Sequence, residues 1–145
     1  YEKGVYFAAT DSVEKISAGA ERQRRYRALK KWRAAPTEEN LWGVAQAYAG
    51  AQFKTYSGLG FSYQLRRGRN GEFTRELWID RREQSKSLAW SSVMLALGKV
   101  PGGEKPLIQR PKDLGDIRGI SYIYAMFYRF GIIDVPEKVK AKMGR

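Results

Sequence analysis

The sequence predicts a small, mostly helical α+β domain of about four to five helices with one β-hairpin or a small antiparallel sheet. Three observations predict it. Apolar residues recur at helical spacing in separate stretches, within 13–32, 41–51, 89–97 and 120–130. Phe61, Tyr63 and Leu65 alternate with Ser62, Gln64 and Arg66, the period of a half-buried strand. Asn70-Gly71 then separates this run from a second one, 72–79, which is a strong local signal for a hairpin. At 145 residues the chain has the length for one domain with a real core, read as 1–145 with frayed ends at 1–10 and 136–145.

Composition narrows the chemistry. The chain has no cysteine and no histidine. It therefore has no disulfide framework and no thiolate metal site, and the expected compartment is the cytoplasm. Ser-His-Asp and Cys-His machinery, zinc deaminase chemistry and histidine nucleases are all unavailable. Catalysis would have to rest on Asp, Glu, Lys or Tyr, and the expectation is a protein without catalytic activity, cofactor or small-molecule substrate. No apolar run approaches the ~18 residues that a membrane helix needs. Against this stands a net charge of +12, from 27 basic and 15 acidic residues. In a short chain such a balance points to a polyanionic partner.

Asp11 with Glu14 forms a capping-box pattern for a first helix that runs to about Ala34, where Pro36 stops it. Val13, Ile16 and Ala20 share one face, while Ala28, Leu29 and Trp32 lie on another. From Arg22 to Arg33 there are seven cations and no acid. Arg24, Arg27, Lys30 and Lys31 fall within an arc of roughly 120° opposite Leu29 and Trp32. Four like charges on one face repel unless an anion lies along it, and a nucleic-acid backbone is such an anion. The plain alternative is a solvated helix face.

Thr37 caps a second helix, with Glu38 and Glu39 in its first turn and a core face of Leu41, Val44, Ala45, Tyr48 and Ala51. Trp42 lies off that stripe. Lacking Lys or Arg before Lys54, this helix is a poor candidate for entering a groove. In the hairpin, a type I′ turn at Asn70-Gly71 places Arg66, Arg67 and Arg69 at the tip, where they would reach a groove. Phe73, Leu77 and Ile79 face one side of the returning strand. Trp78 is the exception on the polar side, read as covered core in preference to an exposed stacking ring.

Asp80-x-x-Glu83 is a second capping box, with Ser85 or Ser87 as substitute caps, and opens a helix from about 84 to 97. Its apolar arc is Ala89, Trp90, Val93, Met94 and Leu97. Gln84, Ser87 and Ser91 cluster opposite, with Arg81, Arg82 and Lys86 at its start. Small polar groups beside cations suit a helix that reads bases, and close helix packing by small serines would give the same pattern. Residues 99–112 form a Pro/Gly-rich loop in which Lys99, Lys105, Arg110 and Lys112 could follow a backbone. Ile120, Ile123, Tyr124, Phe127 and Phe130 mark a last helix, closed by Gly131 as a left-handed cap.

The dinucleotide fingerprint, phosphate loop and calcium loop are absent. Asp113 with Asp116 is a turn-forming pair more than a magnesium site. The leading expectation is a DNA-binding regulator, for instance of transcription, or an accessory factor, with DNA favoured over RNA. Two alternatives stand beside it: an RNA or single-strand binder that stacks bases on aromatics, and an interaction module whose basic face docks an acidic protein.

Overall fold

A computed structural model describes residues 19–80 and 86–144. Its architecture is α+β, and its contacts divide the chain into two units, Tyr1–Tyr48 and Ala49–Arg145.

The first unit is an antiparallel pair of helices over its described residues. Helix α1 covers 19–34, and helix α2 spans Glu38–Ala47. The Asp11/Glu14 start expected for α1 lies outside the described residues. Pro36 has no amide to continue α1, and Asn40 takes over its exposed carbonyl end. The Asn40 Nδ2 donates to Ala35 O at 2.7 Å and to Lys31 O at 3.4 Å. Thr37 is the α2 cap, its Oγ1 accepting from Asn40 N at 3.2 Å. At the other end of the pair, Arg25 donates from Nε to Ala47 O at 3.0 Å. Leu41, Val44, Ala45 and Tyr48 are buried, as their spacing predicts. Trp42 is buried as well, because the buried arc of this short helix is wider than one stripe.

The second unit is built on a four-stranded antiparallel sheet, not a lone hairpin. Strands β1 (Phe53–Lys54), β2 (Gly60–Arg67), β3 (Phe73–Asp80) and β4 (Lys86–Ala89) pair in sequence order. The register aligns Tyr63 with Ile79 and Leu65 with Leu77, and Leu77 with Leu88 across the next strand. Phe61, Tyr63, Leu77, Ile79 and Leu88 are accordingly buried. Helix α3 is Trp90–Leu97, α4 is Ile120–Arg129 and α5 is Glu137–Met143, with a 3-10 turn at Pro111–Leu114. The α4 helix packs against β1, α3 and the 3-10 turn. Its seat on the sheet is aromatic: Tyr122 meets Phe61 edge-on at 5.0 Å, and Phe130 meets Phe53 at 6.2 Å.

Two glycines are required by geometry. Gly119 starts α4 at φ 82, and a Cβ there would stand 2.7 Å from Leu88 Cδ1. Gly131 closes the helix at φ 79, with Gly131 N donating to Tyr128 O at 3.0 Å and Ile132 N to Phe127 O at 2.9 Å, the paired bonds of a Schellman motif.

Three expectations are corrected. The β2–β3 turn is not type I′, because Asn70 does not have positive φ and Gly71 does, at 82. Gly71 N donates to Gly68 O at 3.0 Å and Gly68 N to Glu72 O at 2.7 Å, so Arg69-Asn70 form a type I turn followed by a left-handed glycine. The helix expected from 84 begins only at Trp90, since Lys86–Ala89 pairs with β3 as an edge strand. Residues 137–143 are not a frayed tail. They form α5, which buries Val139 and Met143.

The loop at 99–112 is tied down in its second half. Leu107 and Asp134 form a parallel bridge, with Ile108 N donating to Asp134 O at 3.0 Å. The Tyr124 hydroxyl donates to Ile108 O at 2.5 Å. Burial pushes the pKa of that phenol up. Among the described residues no helix is long and apolar enough to cross a membrane.

Candidate nucleic-acid interface

The first cluster stands on α1. Over 22–34 its half-buried positions are Arg25, Ala28, Leu29 and Trp32. They occupy one side of the helix at 100° per residue, which turns Arg24, Arg27, Lys30 and Lys31 outward, and all four are exposed. Arg25 fixes this rotation. Besides its bond to Ala47 O, it pairs with Glu21 at 3.3 Å and lies 5.1 Å over the Tyr48 ring. Among the described residues, no carboxylate pairs with the four outward cations. Arg24 and Arg27, Arg27 and Lys30, and Arg27 and Lys31 are three or four residues apart, so each pair costs a few tenths of a kcal/mol, roughly.

Charge pattern alone passes over Tyr26. It is 60% exposed, on the edge of the same cationic arc, between Arg22 and Lys30. The signal that finds it is a large ring within a run of cations, at an angle away from Leu29 and Trp32.

The second cluster is the tip of the β2–β3 hairpin. The structure brings Arg66, Arg67 and Arg69 together there, all exposed, but in different states. The Arg66 guanidinium lies 3.9 Å over the Trp78 ring. Arg67 lies 4.2 Å over Phe73 and donates to Gly71 O at 2.7 Å. Arg69 has no partner among the described residues. A stacked guanidinium is held flat and still presents N–H groups at its edge, which suits phosphate oxygens. Trp78 itself is half-buried, with its Nε1 enclosed and without an acceptor among the described residues. Its ring face is therefore occupied by Arg66 in place of a base.

The third predicted group is described only in part. Arg81, Arg82 and Gln84 lie outside the described residues. Lys86 and Ser87 belong to β4, on opposite faces of the strand, opposite Ile79 and Trp78 respectively. Ser87 Oγ donates to Glu76 Oε2 at 2.7 Å. Ser91 is exposed in the first turn of α3. Ser87 and Ser91 thus share no helix face, and the expected base-reading helix start is a strand.

The remaining candidates for chemistry are sparse. Asp113 pairs with Arg110 at 3.3 Å, and no group of three acidic residues among the described ones could hold a metal ion. One open groove of the second unit, lined by Thr55, Ser57, Ser62, Asp80, Ser121 and Tyr122 among others, has Asp80 as its sole carboxylate among the described residues. Titration is displaced instead at a structural joint. The Val135 amide and Lys140 hold the Asp134 carboxyl below its usual range, and Glu137 and Asp134 raise Lys140. Comparison with protein-family models, with curated proteins and with solved structures yields no match, so what these residues do is argued from their geometry and chemistry alone.

Proposed function

We propose that the chain is a nucleic-acid-binding protein without catalytic activity, with DNA favoured, acting as a regulator or accessory factor. The observation that carries this reading is the outward face of α1: Arg24, Arg27, Lys30 and Lys31 are exposed, aligned and without described acidic partners. A phosphate backbone relieves their mutual repulsion and releases its counterions in doing so. Arg69, with the edges of Arg66 and Arg67, adds a second set of phosphate contacts at the hairpin tip.

The test is binding of the full chain to duplex DNA, single-stranded DNA and structured RNA at low salt, followed by fluorescence anisotropy. Binding should drop at least tenfold in an Arg27→Glu/Lys31→Glu variant, for all base sequences alike. No binding to any of the three at low salt would sink the reading. Binding by an acidic protein in their place would turn the same face into a protein-docking surface.

A further inference from the structure

Arginine covers aromatic rings repeatedly in this protein. Arg25 lies over Tyr48 at 5.1 Å, Arg66 over Trp78 at 3.9 Å, Arg67 over Phe73 at 4.2 Å and Arg129 over Phe53 at 5.4 Å. Tyr26 is different. Arg22 precedes it by one turn, Lys30 follows by one turn and Arg27 is its neighbour, yet among the described residues no cation and no ring covers it. At 60% exposure it is one of the exposed large apolar groups, and it stands within the most basic stretch of the chain.

Along the helix the order is therefore cation, open ring, cation, with about 6 Å of rise between neighbours one turn apart. A duplex backbone presents only phosphate and sugar to such a row, and an aromatic ring gains little there. An unpaired strand presents phosphates and free base faces together, and bases stack on exposed rings in any sequence. We propose that Tyr26 stacks on an unpaired base, so that the nucleic acid held by α1 contains a single-stranded stretch. The inference rests on the phosphate-gripping role of α1. It also moves the stacking residue away from Trp78, whose face Arg66 already fills.

The experiment measures affinity of the full chain for a fluorescein-labelled oligothymidine, an oligouridine and a duplex of equal length. The variants are Tyr26→Ala, Tyr26→Phe and Arg27→Glu/Lys31→Glu. Tyr26→Ala should weaken binding to the single strands by about tenfold, within the range for loss of one stacked base. Its duplex affinity should change less than twofold, and Tyr26→Phe should bind as the parent does. Comparison of the thymidine and uridine strands separates a DNA source of the unpaired base from an RNA one. Equal loss on single strand and duplex, or no loss on either, overturns the stacking role. If the charge reversal nonetheless abolishes binding, the phosphate reading survives that result. If the charge reversal changes nothing, both fall together.

Discussion

Arg25 and Arg27 are two residues apart in one basic run, and they have opposite roles. Arg25 has a side-chain exposure of 19% and three partners: Ala47 O, the Glu21 carboxylate and the Tyr48 ring. Truncation to alanine removes a charged hydrogen bond and a cation–π contact, and should cost about 1–3 kcal/mol of stability. Among the described residues Arg27 has no acidic partner, so Arg27→Ala removes repulsion between like charges and should leave stability unchanged within about 0.5 kcal/mol, or raise it slightly. Urea titration followed by circular dichroism separates the two, and equal losses would contradict this division of the run. Half of the distinction is legible in the sequence. At 100° per residue Arg25 falls between Leu29 and Trp32, on the packed side, whereas the four candidate cations fall opposite. Glu21, four residues back, is legible too, but Ala47 and Tyr48 are not, because they are brought near by the chain reversal at Pro36. The hairpin arginines have the same limit. Their clustering at a turn follows from Asn70-Gly71, but the stacking of Arg66 on Trp78 depends on a cross-strand register that no local pattern contains.

At the scale of elements, the readings that held have their determinants close together in the chain. Thr37 caps α2 through Asn40, three residues on, and Gly131 closes α4 through Phe127 and Tyr128. The start of the helix after β3, by contrast, depends on a distant partner. Ala89, Trp90, Val93, Met94 and Leu97 repeat at helical spacing, and nothing local stops that pattern from extending backward past Ala89. What stops it is β3, which pairs with Lys86–Ala89 and sets Leu88 against Leu77. A four-residue edge strand is too short to show its own period. The C-terminal helix is hidden in the sequence for a related reason, since seven residues rich in lysine read as a tail without their anchor. That anchor is Asp134. Its backbone joins the 106–108 segment, and its carboxylate accepts from Val135 N at 2.9 Å and lies 3.3 Å from Lys140 on α5. Because the folded pKa of Asp134 is below the usual 3.8, the folded state binds its proton less readily than the unfolded chain. The stabilisation is present above the unfolded value and is lost as pH falls through the folded one. Melting temperatures recorded from about pH 5 to about pH 2 should therefore fall less steeply for Asp134→Asn than for the parent. Parallel curves would show that the carboxylate contributes nothing to holding α5.

At the scale of the whole molecule, the net charge of +12 says that a polyanion is favoured but not how many of its charges are met. The second unit holds twice as many basic as acidic residues, so the cationic surplus is not confined to α1. Salt dependence separates specific contacts from this diffuse surplus. If Arg24, Arg27, Lys30 and Lys31 each neutralise one phosphate, they should contribute about −3.6 to the slope of log K against log salt on duplex DNA, or about −2.8 on a single strand. Contacts from Arg66, Arg67 and Arg69 would steepen it further. Replacing Arg27 and Lys31 together by alanine should then flatten the slope by about two units, and Arg69→Ala by about one. A surface that acts only through its overall charge behaves otherwise. Affinity would fall modestly in each variant, by an amount that follows the net charge and not the position, and Lys138→Ala would serve as well as Lys31→Ala. Lys138 is exposed on α5 in the second unit, which makes it a suitable control for a cation outside both clusters. Anisotropy titrations at four or more salt concentrations on the parent, the α1 double variant, Arg69→Ala and Lys138→Ala supply the slopes. A slope change at Lys138 equal to that at Lys31 would remove α1 as a specific phosphate grip and leave the basic charge as a property of the surface as a whole.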